Sequence, residues 1–153
     1  MEIDDCGAST RHRLIKVSEN GKTFAIANPE EIEVIKLDLD KCKALAVVQR
    51  CDYIFYIFSF PLGLYVELKG KDLDKACKQL AATLTLMQAQ ERIWERELRA
   101  KFKRECYIVC SRVTPNFAAR KQNVEKKFLR ETGVFLYVRS VYAERDLTKA
   151  KPS

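Results

Sequence analysis

Two apolar, β-prone runs, Tyr53 to Phe58 and Leu64 to Leu68, flank a Pro61-Leu62-Gly63 turn, and this pair restricts the fold more than any other feature. Neither run alternates polar with apolar residues. Continuous apolar runs of strand length belong in the middle of a sheet covered on both faces. A chain holding such a hairpin must build layers above and below it. Its 153 residues, 47% of them apolar and 32% charged, suffice for one domain with a real core.

Other strand signals surround that hairpin. Arg11 to Val17 reads as a strand, Ser18 to Gly21 as a turn closed by Asn-Gly, and Lys22 to Ala27 as the returning strand. Asn28-Pro29 breaks the run. Glu31 to Leu39 alternates again, and Ala44 to Val48 is a short apolar strand. After Gly70 the period changes. Leu73, Ala76, Cys77, Leu80, Leu84 and Met87 keep helical spacing, with Asp72 as N-cap. The helical composition runs on to about Arg104, as one helix or as two with a bend. Glu105 to Val113 reads as a strand, Phe117 to Thr132 as a helix stopped by Gly133, and Val134 to Val141 as a last strand. The order predicts an α/β fold with a mixed central β-sheet flanked by helices on both faces. A single domain is expected over residues 1–142, with a disordered tail over 143–153.

Charged residues close both apolar runs where a buried strand would reject them. Asp52 precedes the first, and Glu67-Leu68-Lys69 ends the second. Two carboxylates and a backbone carbonyl, such as that of Leu68, are hard oxygen donors of the kind Mg²⁺ takes. A lysine two residues after Glu67 shares its strand face, where it could orient or deprotonate a water or neutralise developing charge. With a four-residue loop at Phe60 to Gly63, Glu67 pairs with Tyr56. Asp52 then lies four residues further on, roughly 13 Å away in a flat ladder. The site needs a bulge or bend near Asp52.

These residues resemble the PD-(D/E)XK nuclease superfamily, the restriction-endonuclease-like fold. The likeness rests on Arg50-Cys51-Asp52-Tyr53, on Tyr65-Val66-Glu67-Leu68-Lys69-Gly70, and on Asp72 to Leu80 with Gln79. It covers residues 30–85. It implies Mg²⁺- or Mn²⁺-dependent hydrolysis of phosphodiester bonds in DNA, with Asp52 and Glu67 as ligands and Lys69 as base or stabiliser. It implies a bend at the Asp52 strand. It also implies a homodimer where both strands of a duplex are cut. The chain departs from the pattern in lacking a glutamate on a preceding helix, for which Glu2, Glu19 and Asp38 are stand-ins. It also lacks a proline before the motif aspartate. Some branches carry Gln and, four residues on, Tyr; here Gln79 is followed by Thr83.

The charge is uneven. Residues 1–70 hold 9 Lys/Arg against 11 Asp/Glu, and residues 71–153 hold 19 against 10, for a net +7. Arg99, Lys101, Lys103, Arg104, Arg120 and Lys121 are the candidate phosphate contacts. Trp94 and Phe117 could stack on bases or pack in the core. No base-reading helix stands out, so backbone or shape recognition is expected.

Six cysteines contain no C-x-x-C pair, and the single histidine is His12, so a zinc site is not indicated. The start of the chain does not resemble a secretory signal, which argues for a cytoplasmic protein without disulfides, and no run is long enough to span a membrane. Three readings follow: a DNA nuclease, a catalytically inactive nuclease-fold module that binds nucleic acid or acts as an immunity or partner-binding protein, or a structural module.

Overall fold

The computed structural model describes residues 6–42, 49–68, 72–91, 101–111 and 116–152. It is an α/β structure with two sheets. The strands are β1 (Gly7–Thr10), β2 (Leu14–Glu19), β3 (Lys22–Ala27), β4 (Val34–Asp38), β5 (Tyr53–Ile57), β6 (Leu62–Leu68), β7 (Lys103–Cys110), β8 (Phe135–Ser140) and β9 (Tyr142–Asp146). The helices are α1 (Leu73–Gln90) and α2 (Phe117–Thr132). The large sheet has six strands in the order β1-β4-β5-β6-β7-β8. β1-β4, β4-β5 and β5-β6 pair antiparallel, while β6-β7 and β7-β8 are parallel. The direction of pairing therefore changes at β6, which has a different kind of neighbour on each side.

The apolar runs of β5 and β6 sit where their composition requires, in the middle of the large sheet. Ile54, Tyr56, Tyr65, Cys106 and Ile108 pack under α1 and α2. Phe55, Ile57, Leu64, Val66, Tyr107 and Val109 pack against Ile15, Val17, Phe24 and Ile26 of the small sheet β2-β3-β9. The second layer is thus a sheet. The described helices cover one face rather than both, because the β2-β3 hairpin supplies an apolar face of its own.

Local signals explain most boundaries. Asn20 and Gly21 both adopt positive φ, as a two-residue hairpin turn requires, and Glu19 pairs with Lys22 across it. Asp72 caps α1 by accepting the Lys75 N–H at 3.0 Å. Gly133, at φ 75°, ends α2. Three groups of expectations need correction, the first being element bounds. The hairpin loop is Phe58 to Pro61, because Ile57 pairs with Leu62 and Tyr56 with Gly63. Gly63 lies inside β6, where a Cβ would come within 2.9 Å of the Phe102 ring. Helix α1 ends at Gln90, Lys101 is helical and β7 starts at Lys103, so helical structure stops just short of Arg104, and Ala44 to Val48 lies outside the described residues.

The tail is the second correction. Residues 142–146 form β9, parallel to β3. Arg145 is 3% exposed and anchors the segment. Its guanidinium pairs with Glu105 at 2.8 Å and 3.1 Å and donates to the carbonyls of Asp146, Lys149 and Ala150. The third concerns the cysteines. Cys6 and Cys42 form a disulfide across 36 residues, tying the entry to β1 to the turn after β4. Cys51, Cys77, Cys106 and Cys110 are free.

Candidate active site

Asp52 reaches the sheet through a bulge. Tyr53 is paired with Val66, yet the Asp52 N–H also reaches the Val66 carbonyl, at 3.1 Å. Two residues of one strand thus address one of the other, which is how a β-bulge is made. Facing confirms it. Cys51 and Ile54 both join the core under the helices, although a regular strand would put residues three apart on opposite faces. Beyond the bulge the ladder continues through a side chain. Leu68 N–H donates to Asp52 Oδ2 at 2.8 Å. The Asp52 carboxylate is therefore fixed on the peptide that follows Glu67.

The register removes the 13 Å separation of the flat ladder. The register is shifted by four residues, since Tyr56 faces Gly63 and not Glu67. The bulge then swings Asp52 toward the end of β6. Glu67 is fully buried, at 0% exposure, on the helix-facing side of β6 between Val66 and Leu68. It lies close enough to Cys51 to act with burial, the larger cause, in raising that thiol far above its ordinary pKa.

Helix α1 braces this corner. Thr83, at 0% exposure, accepts the Cys51 N–H at 2.8 Å and donates to the Gln79 carbonyl at 2.7 Å. The residue standing in the Tyr position of the resembled motif therefore holds the backbone next to Asp52. Gln79 lies one turn before it on the same face of α1. Its Oε1 is buried and has no hydrogen-bond partner among the described residues.

More carboxylates gather at this end of the sheet. Glu19 ends β2 at the hairpin tip, Asp38 ends β4 opposite Tyr53, and Asp40 follows. Partial burial, then Asp52 and Asp40, raise the Glu19 pKa above its ordinary value. Burial raises that of Tyr53, with Asp38 and Glu19 adding to it. Among the described residues no three His, Cys, Asp or Glu side chains converge as a metal group. Glu19 is an electrostatic neighbour of Asp52, and Asp38 of Glu19 and Tyr53. Lys69 lies outside the described residues, as do Glu2, Trp94 and Arg99.

The basic residues divide. Arg120 and Lys121 are in the first turns of α2, which follows the carboxyl end of β7 and so begins at the Asp52 end of the sheet. Lys101 and Lys103 are exposed at the other end. Lys103 pairs with Leu62, five residues and about 16 Å along β6 from Glu67. Arg104 is committed elsewhere. It pairs with Glu91, which is 2% exposed and also accepts the hydroxyls of Tyr56 and Tyr65 at 3.3 Å. Sequence reasoning missed this network, in which Arg104 serves the core. Burial pushes the Tyr56 phenol up to about 12 and that of Tyr65 well above its ordinary value. Phe117 packs partly buried against the helical core.

Set against protein-family models, curated proteins and solved structures, the chain matches none. What stands is the class defined by its own geometry: an α/β domain with two carboxylates drawn to the sheet end where pairing switches from antiparallel to parallel. None of the described helices is long and apolar enough to cross a membrane.

Proposed function

We propose that the chain is a metal-dependent nuclease that hydrolyses phosphodiester bonds, with DNA as its substrate. One observation carries the reading: the bulge at Asp52 and the shifted register bring its carboxylate to the peptide after Glu67. The location supports it. Open α/β sheets bind ligands beyond the carboxyl ends of their strands, and Glu67 stands at the carboxyl end of β6.

The donor set suits Mg²⁺ or Mn²⁺. Asp52 and Glu67 offer hard oxygens, and the Gln79 amide oxygen is a buried acceptor on the adjoining helix face. Asp52 and Glu67 would hold the ion. Bound there, it would supply charge relief at the phosphate and a more acidic water. Asp52 spends one oxygen on Leu68 N–H, which fixes the direction of the other. Thr83 holds the preceding peptide in place. Arg120 and Lys121 stand at the same sheet end for phosphate contact. Lys69 follows Glu67 by two residues, and its proposed part is to orient the water or offset charge.

A second reading has its own observation. Glu67 is fully buried, and the Asp52 carboxylate is engaged by backbone. A nuclease fold retained as an inactive nucleic-acid-binding or immunity module would look the same. Cleavage of plasmid, linear and branched DNA with Mg²⁺ or Mn²⁺ separates the two. The nuclease reading expects metal-dependent cutting that Asp52→Asn, Glu67→Gln and Lys69→Ala each reduce by at least ~100-fold. Salt-sensitive DNA binding with no cutting under either metal would establish the inactive module instead.

A further inference from the structure

The small sheet covers β5, β6 and β7 but stops short of β8. Tyr107 and Val109 of β7 are buried beneath it, whereas Tyr137 of β8 is only partly covered. Phe135, on the same face, is 57% exposed. Strand β8 is the edge of the large sheet, so this face is an uncovered ledge.

Its side chains are ordered as a row. Phe135, Tyr137 and Arg139 alternate onto this face. The Phe135 and Tyr137 rings are stacked, with centroids 6.4 Å apart and planes 20° apart. The Arg139 guanidinium lies 5.6 Å from the Tyr137 ring centre. Tyr107, its register partner on β7, flanks Tyr137 at 5.4 Å. At the Phe135 end, Lys103 and Lys149 line a shallow cavity of about 220 Å³, and Phe135 is paired with Glu105, two residues from Lys103. At the other end, Arg139 and Tyr142 line a second cavity of about 200 Å³ that also takes in the Glu144 carboxylate. A cation thus stands at each end of an aromatic row, and the inner one, Arg139, is also paired with Glu125 at 3.7 Å.

The row leads toward the sheet end that carries Asp52. Leu68 pairs with Val109, and Val109 with Arg139. Arg139 therefore lies two strand spacings, about 10 Å, from the end of β6.

The chemistry favours one occupant. Residues two apart on a strand are about 6.6 Å apart. That is about twice the 3.4 Å rise per nucleotide along one strand of a duplex. Rings at this spacing match extended nucleotides with unstacked bases, and paired bases have no free faces to offer. Docking of another protein strand is disfavoured at this edge. Glu125 accepts the outward Val138 N–H at 2.9 Å and so occupies the ladder position a new strand would need.

We propose that Phe135, Tyr137 and Arg139 form a binding track for single-stranded nucleic acid, with Lys103 and Lys149 at its outer end. The track leads an unpaired strand toward the sheet end that carries Asp52. That delivery role rests on the nuclease reading; the binding does not.

The test is fluorescence anisotropy in EDTA with a labelled oligothymidylate of about 12 nucleotides and a duplex of the same length. The single strand should bind at least ~10-fold more tightly than the duplex. Phe135→Ala and Tyr137→Ala should each weaken it roughly 5- to 100-fold, and Phe135→Trp should restore binding. Phe135 is largely exposed, so its variants keep the fold, and circular dichroism verifies this for Tyr137→Ala. Equal affinity for duplex, or alanine variants that bind as the wild type does, would overturn the track. So would a concentration-dependent dimer that Phe135→Ala abolishes. The two proposals fail separately. Single-strand binding lost in Phe135→Ala but without cleavage under any metal removes the nuclease and keeps the track. Metal-dependent cutting of duplex unaffected by Phe135→Ala removes the track and keeps the nuclease.

Discussion

Replacing Thr83 by valine isolates the bond that joins α1 to the strand carrying Asp52. The two side chains have nearly the same shape, and Thr83 is fully buried, so packing changes little. What disappears is the acceptor for the Cys51 N–H, now met at 2.8 Å. Cys51 is 1% exposed, so water cannot take over. A buried donor left without an acceptor costs about 1–3 kcal/mol. The Gln79 carbonyl loses only the extra donor at 2.7 Å and keeps its place in the helix, which adds little. In urea, with a slope of about 2 kcal/mol per molar, the unfolding midpoint should fall by roughly 0.5–1.5 M at constant slope. Thr83→Ser keeps the hydroxyl and should lose less than half as much. The reasoning is refuted if the valine variant unfolds with the wild type, or if serine falls as far as valine.

Three other outcomes follow from the described contacts. Breaking the Glu91–Arg104 pair on either side, by Glu91→Leu or Arg104→Met, should cost about 2–4 kcal/mol, because one charge stays buried with its partner gone. The double variant should recover at least half of that loss in a thermal or urea double-mutant cycle, and additive losses would contradict the network. Cys42→Ser should cost about 3–4 kcal/mol in the chain-entropy account of a loop with 36 residues of separation, and non-reducing peptide mapping should find Cys6 linked to Cys42. Glu19 should titrate above its ordinary value, since its folded form holds a proton more tightly than the unfolded one. Its contribution to stability is thus present below the unfolded value and lost as pH rises through the folded one. Asp52→Asn should move the NMR titration midpoint of Glu19 downward, and an unmoved midpoint would show that the two do not interact.

Parts of this structure were legible in the sequence for physical reasons. Asn20-Gly21 announces a hairpin because few other residues take positive φ, and the 3.6-residue period of Leu73 to Met87 shows which face of α1 is buried. The α/β class followed from that change of period after β6. The hairpin register did not follow. Pro61-Leu62-Gly63 looks like a turn, but the glycine is needed for space beneath Phe102, a contact made by a residue 39 positions away. The ordered tail is not legible in the sequence, because Arg145 looks like a surface residue until Glu105 and three carbonyls surround it. The Cys6–Cys42 bond joins positions that only the β1-β4 pairing brings together. At the site, Asp52 and Glu67 stood out as charges ending apolar strands. Thr83 did not, because its value lies in one hydroxyl reaching the Cys51 peptide.

The proposed chemistry requires Asp52 and Glu67 to bind one divalent cation. Crystals soaked in MnCl₂ and measured at the manganese edge test this directly. The expected result is an anomalous peak within coordination distance, about 2.1 Å, of one oxygen from each carboxylate, and absent in Asp52→Asn crystals. A peak elsewhere, or carboxylates too far apart to share an ion, would contradict it.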